Sequence, residues 1–313
     1  MDTQLLATGS EALRKAALNQ DAKNFVLSNP LLFATVKKAA NRYIGGESLE
    51  ETIHKVKLQN ARQIKCSIEF MGENTSTEQE ANEATKEFIR ICQAVNQQKL
   101  YSTVSLDLSH IGLKVSPDLC AHNLSIICQE AMHANTEVII SAEGHEATNA
   151  VINLYLQAVK QHSNLAITMQ AYLHRSQDDF KALIKAPGRI RIVKGAFETP
   201  QGISMPRGDK LDEVYIDYVD QLLQQRHLCS IATHDHHLQQ IIKQLVLQHQ
   251  ASADLYEFES LFGICNEQLD VLQEEGFKTK IYFVYGREWY LYLCNRIAEY
   301  PLNIFQAIKD IVE

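Results

Sequence analysis

From residue 66 onward the sequence repeats one unit. A short run rich in β-branched and aromatic residues is followed by a polar break and then by a longer segment with apolar residues at helical spacing. The runs occupy residues 66–72, 101–108, 136–143, 165–172, 190–197, 228–234, 254–261 and 279–286. Strand followed by helix, eight times over, is typical of a (β/α)8 TIM barrel, so the pattern predicts an α/β fold of that class.

The spacing of the runs supports this interpretation. Successive runs start 25 to 38 residues apart, which suits one βα unit but is too uneven for a short sequence repeat. A doubly wound sheet is the main alternative. It does not require eight units, and the sequence contains no GxGxxG motif of the kind that marks dinucleotide-binding sheets.

The first 60 residues have a different pattern. Residues 5–18, 29–44 and 48–63 have the apolar spacing of helices, with breaks at Asn29-Pro30 and Gly45-Gly46. We therefore expect residues 1–60 to form a helical arm packed on a barrel of residues 61–313.

Composition argues against several functions. The net charge of −8 and the pI near 5.9 disfavour a nucleic-acid surface, because binding a phosphate backbone requires clustered Lys and Arg. The first residues lack the basic start and apolar core of a signal peptide, and no run of about 18 apolar residues provides an integral membrane segment. The expected location is therefore cytoplasmic. Seven cysteines without CxxC spacing indicate reduced thiols.

In a TIM barrel the functional site lies at the carboxyl ends of the strands, and here those positions are polar. Lys194 ends the fifth run and is followed by the small residues Gly195 and Ala196, which leaves room for an anionic or flat ligand to approach the backbone. The alternative is a lysine that pairs with a nearby carboxylate at the barrel rim. Arg191 lies in the same run, and the polar residues that close other runs are Gln170, Thr233, His234, Asp235, Glu257 and Glu259.

The sequence His234-Asp235-His236-His237 contains common metal ligands. We expect His236 and His237 to begin the exposed face of the next helix, so no metal site is predicted.

The last unit contains a second candidate group. Tyr292, Asn295, Arg296 and Glu299 fall on one helix face through i, i+3 and i, i+4 spacings. Together with Tyr282 they would form a pocket with aromatic walls and one fixed guanidinium, which suits a small carboxylate. Alternatively, the tyrosines pack the helix on the barrel and Arg296 pairs with Glu299.

Several segments in register resemble the proline dehydrogenase family: RIVKGAF, IATHD, YEFESLFGI and KIYFVYGREWYLYLCNRIAEYPLN, supported by RYIGGESLEET, SAE at 141–143 and MQAYLHRSQDDF. The resemblance covers nearly the whole chain. It implies a distorted (β/α)8 barrel that holds FAD at the carboxyl ends of the strands. It also implies oxidation of L-proline to Δ1-pyrroline-5-carboxylate, with a quinone as electron acceptor and, for that reason, peripheral contact with the inner membrane.

The resemblance also implies roles for individual residues. Leu261, Tyr282 and Tyr292 would wall the substrate ring, and Arg296 would bind its carboxylate. A hydride would leave the carbon next to the amine nitrogen for flavin N5, while the protein fixes the geometry. The residues implied to contact the flavin and its ribityl-phosphate chain are Gln170, Arg191, Lys194, Gly195, Ala196, Thr233 and His234.

This sequence departs from the family pattern in the substrate site. Asn295 stands where the family has the first of two adjacent arginines, Ser105 where an SVKL-type motif has a substrate-facing lysine, and Ser141 where an aspartate precedes Ala-Glu. The KGAY pattern ends in Phe197, and the EFQ pattern ends in Glu259. The substrate site is thus one charge less positive than the resemblance implies, whereas the flavin positions are better retained.

Three hypotheses follow. The chain is a proline dehydrogenase with a weakened carboxylate clamp, as Tyr282, Tyr292, Arg296 and Glu299 suggest. Alternatively, it is a flavoenzyme that oxidises a different amine, as the combined changes at Ser105, Ser141 and Asn295 suggest. The third hypothesis is a non-catalytic flavin-binding homologue that retains only the barrel.

Overall fold

The eight predicted strands form one closed parallel barrel in sequence order, which confirms the TIM barrel class. The computed structural model describes residues 3–72, 74–300 and 302–312, with side chains from residue 8. The strands are β1 (Lys65–Phe70), β2 (Ser102–Leu106), β3 (Val138–Ile140), β4 (Leu165–Gln170), β5 (Ile190–Val193), β6 (Cys229–Ala232), β7 (Tyr256–Leu261) and β8 (Thr279–Tyr285).

Helices follow the strands and also precede the barrel. Side-chain caps set several of their starts; for example, Thr77 and Glu80 form a capping box at the start of α5. The helices are α1 (Thr3–Leu18), α2 (Gln20–Ser28), α3 (Pro30–Asn41), α4 (Leu49–Ala61), α5 (Glu78–Gln98), α6 (Pro117–His133), α7 (Thr148–Ala158), α8 (Ser176–Leu183), α9 (Asp209–Gln224), α10 (His236–Gln248), α11 (Asn266–Glu274), α12 (Trp289–Glu299) and α13 (Asn303–Val312).

The predicted runs extend too far at their carboxyl ends. The fifth run was expected to reach residue 197, yet β5 ends at Val193, and the third was expected to reach 143, yet β3 ends at Ile140. The residues beyond these points leave the strand ladder and turn into the loops at the mouth of the barrel. Strand-like composition therefore continues where strand pairing has stopped.

The inner layer at the amino end of the barrel is charged. Glu257 on β7 accepts from Lys280 Nζ at 2.5 Å and from Lys65 Nζ at 3.2 Å, and Arg189 Nε donates to Glu137 Oε1 at 3.0 Å. Burial alone would raise the pKa of Glu257, but these cations hold it well below its usual range. Because each of these charges has a partner, the amino end of the barrel interior is filled by ion pairs instead of apolar side chains.

The first three helices pack against the end of the chain. Ser10 donates to the carbonyl of Ala298 at 2.7 Å, and the ring of Phe33 lies 5.5 Å from that of Trp289 in an edge-to-face contact. Helix α2 was not predicted separately; Asn19 caps it by accepting from the N–H of Ala22. Helix α13 was not predicted either.

Helix α4 packs differently from α1, α2 and α3. Its buried residues Leu49, Ile53 and Val56 belong to the apolar layer around the barrel. The boundary between arm and barrel at residue 60 stays a prediction. Within the residues that the structure describes, no helix is both long and apolar enough to cross a bilayer.

Candidate active site

Arg191 lies at the centre of the barrel interior and joins four strands. From β5 its guanidinium donates to Thr168 Oγ1 on β4 at 2.8 Å, to Ser105 Oγ on β2 at 3.2 Å and to Glu259 Oε1 on β7 at 3.1 Å. It also donates to Ser141 Oγ, just beyond β3, at 3.2 Å. Burial alone would lower the pKa of Arg191, but Glu259 and its other neighbours raise it, so the guanidinium stays protonated.

Tyr282 on β8 lies directly over this cation. The centre of its ring is 5.0 Å from the Arg191 guanidinium carbon, and its hydroxyl donates to Glu69 Oε2 on β1. The same Glu69 oxygen accepts from Ser141 Oγ at 2.6 Å. The structure thus brings together Arg191, Ser105, Ser141 and Tyr282. Ser105 is the deepest of them, because its hydroxyl is fully buried against Ser67 Oγ at 2.7 Å.

Lys194 lies at the mouth, just after β5. Its ammonium pairs with Asp212 at 2.6 Å and with Asp235 at 3.0 Å, so the expected alternative of a lysine paired with carboxylates at the rim is what the structure shows. A ligand anion would therefore share this cation with two side chains. Ala196 is exposed at the outer edge of the same loop.

Gly195 has a backbone conformation that only glycine adopts readily. Its φ is +110°, and a Cβ at this position would overlap the ring of Tyr172. The carbonyl of Gly195 accepts from Arg207 Nη2 at 2.7 Å, which fixes the loop. The missing side chain lets the ring of Tyr172 pack directly against the backbone beside Lys194.

Gln170 ends β4 with an unused acceptor. Its Nε2 donates to the carbonyl of Glu143 at 2.8 Å, while its Oε1 is buried without a hydrogen-bond partner among the described residues. A buried amide oxygen without a partner is costly, so it marks a place where a ligand donor would be stabilised.

Thr233 and His234 follow β6. Thr233 Oγ1 accepts from the N–H of Asp235 at 3.1 Å, and His234 Nε2 accepts from the N–H of Leu261 at 3.0 Å. Burial, together with the charge of Arg296, lowers the pKa of His234 to about 4. His234 is therefore a neutral imidazole with its proton on Nδ1, which is left to donate. It also fixes the backbone of Leu261.

The next two histidines behave as expected. His236 and His237 begin α10 and are exposed, and Asp235 caps the helix by accepting from the N–H of His237 at 3.0 Å. Within the residues that the structure describes, no three His, Cys, Asp or Glu side chains cluster as metal ligands would.

Helix α12 carries the second candidate group. Arg296 pairs with Glu299, as one sequence hypothesis expected, and its guanidinium carbon lies 5.2 Å from the ring centre of Tyr292. Burial opposes the charge of Arg296, but Glu299, Tyr292 and Tyr282 raise its pKa. Arg296 and Tyr292 thus form a second pair of a cation and an aromatic ring, on α12. Asn295 precedes it and is partly exposed.

Sequence reasoning missed two acidic residues of this site. Glu69 is buried between Ser141 and Tyr282, and Asp107 follows β2 near enough to Tyr282 for its charge to help raise the pKa of the phenol. Burial is the main cause of that rise and Glu69 the second. The available signal was strand alternation: Asp107 lies two residues after Ser105 and Glu69 two after Ser67, on the inward face.

The comparisons with known proteins fit this geometry. Residues 51–300 match the family described as proline dehydrogenase. The chain is 30% identical over 274 residues to proline dehydrogenase 1 of Bacillus subtilis, covering 88% of this chain and 91% of that one. The chain belongs to the proline dehydrogenase family. It is therefore an oxidoreductase, and the family resemblance seen in the sequence is confirmed.

Further relatives in this family agree. Proline dehydrogenase 2 of Bacillus subtilis is 30% identical over 275 residues, covering 88% of this chain and 91% of that one. The proline dehydrogenase of Deinococcus radiodurans is 29% identical over 279 residues, covering 88% and 90%. Such coverage means that the likeness extends over most of each chain.

Solved structures support the fold. Proline utilization A from Bdellovibrio bacteriovorus, inactivated by N-propargylglycine, superposes with a TM-score of 0.77 at 15% identity, covering 94% of this chain. Proline utilization A from Bradyrhizobium japonicum superposes with a TM-score of 0.68 at 17% identity, covering 82% of this chain. The present chain spans only 41% and 30% of those longer proteins, so they inform the barrel alone.

Proposed function

We propose that this chain is an FAD-dependent dehydrogenase that oxidises L-proline, or a closely related cyclic secondary amine. The product would be Δ1-pyrroline-5-carboxylate or the corresponding imine. The observation that carries the proposal is the ring of Tyr282 over the buried Arg191, in a member of the proline dehydrogenase family whose helix α12 carries Tyr292 and Arg296.

The residues at the mouth suit a flavin. Gln170 offers a buried oxygen without a partner among the described residues, and Gly195 lets the ring of Tyr172 pack against the backbone next to Lys194. Lys194 and Arg191 supply cations for a phosphate and for the electron-rich ring, and His234 supplies one ring N–H. When bound, the flavin accepts the hydride at N5. Thr233 and Ala196 would contact the ribityl-phosphate chain of the flavin.

The protein side of the reaction is positioning. Tyr282, Tyr292 and Leu261 would enclose the ring of the amine, and the Arg296 guanidinium would bind its carboxylate. The buried Arg296 Nε has no hydrogen-bond partner among the described residues, so it is available for that contact. The aromatic walls would exclude water and strengthen the ion pair between the substrate carboxylate and Arg296, a cation that the substrate would share with Glu299.

Oxidation of a different amine is the alternative function, and the position of Asp107 bears on it. The SVKL pattern shares two letters with residues 103–106 and two with residues 105–108, and the second alignment assigns Asp107 instead of Ser105 to the lysine position. In that alignment Asp107 places a carboxylate on the β2 side of the pocket, where the family pattern has a cation. On α12, Asn295 replaces one of the two arginines of the family pattern. We infer that the β2 side favours an amine whose substituent is neutral or cationic.

One experiment separates these functions. Purified protein should show a flavin absorption spectrum, and anaerobic mixing with L-proline should bleach it. A matched panel of L-proline, L-prolinamide and 2-(aminomethyl)pyrrolidine varies only the substituent. Bleaching that is fastest with L-proline would support the first function, and bleaching that is fastest with the amide or diamine would support the second. A protein that cannot be loaded with FAD would contradict both.

We further propose that reoxidation uses a quinone, on family resemblance alone; contact with the inner membrane follows from that proposal. Substrate-reduced protein should be reoxidised by a soluble benzoquinone much faster than by dissolved oxygen. Equal rates would contradict a quinone acceptor.

A further inference from the structure

Glu69 is a buried carboxylate that ties three strands together at the pocket. Only 6% of the residue is exposed, and it lies near the end of β1 with its side chain directed into the barrel. Oε2 accepts from Ser141 Oγ at 2.6 Å and from the Tyr282 hydroxyl. A group buried this deeply is retained only when its hydrogen bonds are satisfied, and here hydroxyls satisfy them.

These contacts close a ring of four side chains. Ser141 Oγ accepts from Arg191 Nη2 at 3.2 Å, and the Arg191 guanidinium lies under the ring of Tyr282, 5.0 Å from its centre. Tyr282 is thus held at two points: Arg191 holds its ring face, and Glu69 holds its hydroxyl. The hydroxyl is committed as a donor, so the tyrosine offers its ring to a neighbouring ligand.

Glu69 differs from the other buried glutamates of the barrel. Glu137, Glu257 and Glu259 each lie within 3.3 Å of a lysine or arginine nitrogen, whereas the hydrogen bonds of Glu69 come from uncharged hydroxyls. Burial raises its pKa, against the hydroxyl donors and Arg191, and Glu143 adds to the rise. The facing groups are therefore Ser141 and Glu143 after β3, Arg191 on β5 and Tyr282 on β8.

We propose that Glu69 is a positioning residue for the amine pocket, whose ionised carboxylate fixes the ring of Tyr282 over Arg191. The inference rests on the proposed function, since it takes Tyr282 as a wall of that pocket. A hydrogen bond from a hydroxyl to a carboxylate is about twice as strong as one between neutral groups. When Glu69 is neutral, the phenol is held less firmly and the wall loses its orientation.

The test compares two tyrosine–glutamate pairs whose tyrosines both lie on β8. Glu69→Gln, Tyr282→Phe and the double variant remove the proposed contact. The control is the pair outside the barrel, in which the Tyr285 hydroxyl donates to Glu87 Oε1 at 2.5 Å, replaced by Glu87→Gln and Tyr285→Phe. Flavin content and thermal midpoint are measured first, so that variants that fold and load can be compared by KM and kcat for the best amine.

The expected result is a selective rise in KM. Glu69→Gln and Tyr282→Phe should each raise KM about tenfold, as expected for loss of one charge-assisted hydrogen bond, with flavin content unchanged. The KM of the double variant should be no higher than the higher of the two single-variant KM values, because both substitutions remove the same contact. Additive losses, or an equal rise in the control pair, would overturn the proposal.

The pH profile gives a readout that a merely structural role would not move. In wild-type protein KM, expressed per unprotonated amine, should rise as the pH falls and Glu69 becomes protonated; this acid limb should vanish in Glu69→Gln and persist in Glu87→Gln. Its persistence in Glu69→Gln would overturn the proposal. If Glu69→Gln does not fold, Glu69→Asp retains the charge and should keep the acid limb.

Failure of the underlying function looks different. Wild-type protein without flavin loading or amine-dependent bleaching would overturn the proposed function and, with it, this role. An active wild type with an unchanged Glu69→Gln variant would overturn the role of Glu69 alone.

Discussion

Arg191 and Glu259 lie 3.1 Å apart inside the barrel, and each is almost completely enclosed. Both residues also interact with other charged or polar groups inside the barrel. Glu259 also contacts Lys280 at 3.0 Å, and Arg191 donates to Thr168, Ser105 and Ser141. The candidate site is thus built directly on the ion pairs that fill the barrel.

Removing one member of this pair should be costly. Arg191→Met leaves Glu259 with Lys280 as its remaining cation, and we expect a loss of about 3–5 kcal/mol in the free energy of unfolding, as for other broken buried pairs. Adding Glu259→Gln should recover part of that loss. Urea unfolding of flavin-free protein measures both. Lys181→Met, which breaks an exposed pair with Asp178, should cost less than about 1 kcal/mol. Equal losses in the two single variants would contradict the expectation.

Gly195→Ala should damage the mouth of the barrel. An L-residue in the left-handed region costs about 1–2 kcal/mol, and here the new methyl would also overlap the ring of Tyr172. Gly202→Ala is the matched control, because Gly202 has a φ of +84° but open space around a Cβ. We expect Gly195→Ala to lose more stability and most of its flavin, measured by thermal melting and absorption. Retention of flavin equal to that of Gly202→Ala would mean that the bare backbone at Gly195 is not needed.

Acidification should destabilise the protein through His110. Burial lowers the pKa of His110 to about 4 from an ordinary 6.5, so the unfolded chain binds the proton more readily between these values. Stability is therefore lost as pH falls from about 6.5 to 4, by at most about 3 kcal/mol for this group. Unfolding free energies measured across that range should fall less steeply in His110→Gln. The exposed His133→Gln should keep the wild-type slope. An unchanged slope in His110→Gln would assign the pH dependence to other groups.

A lysine introduced at Ser105 and a lysine introduced at Asp107, the two candidate positions of the missing cation, should have opposite effects. Ser105→Lys would bury an ammonium beside Arg191, where Ser105 Oγ now lies 3.2 Å from Nη1, and we expect poor folding. Asp107→Lys combined with Asn295→Arg changes partly exposed positions. It should lower the KM for L-proline about tenfold or more by adding charge-assisted contacts to the carboxylate. Kinetics with L-proline and L-prolinamide measure this, and an equal gain for the amide would argue against a carboxylate clamp.

The fold was predictable because eight apolar runs must each be buried on both faces of a parallel sheet. The boundaries were less predictable: β5 stops at Val193 because the following residues line the mouth. Helix α2 escaped prediction because residues 20–28 expose one polar face and contribute no fully buried side chain.

The candidate site was predictable only in part. The sequence singles out Arg191, Tyr282 and Arg296 as polar or aromatic residues near strand and helix ends, but the structure places Arg191 and Tyr282 within β5 and β8. The sequence does not single out Glu69, because its importance comes from Ser141, 72 residues away, and Tyr282, 213 residues away. A single sequence does not indicate which distant polar residues share one hydrogen bond.

The packing of α1 on α12 has a consequence for biosynthesis. Helix α12 carries Tyr292 and Arg296 and is held by Ser10 and Phe33 from the opposite end of the polypeptide. On the ribosome the first helices emerge without their partner, and the pocket wall assembles only after nearly 300 residues have been translated. We therefore expect a nascent chain stalled before residue 289 to expose the apolar face of its first helices and to depend on chaperones. Emergence of residues 289–313 would then complete the proposed substrate pocket and shield those helices in the same step.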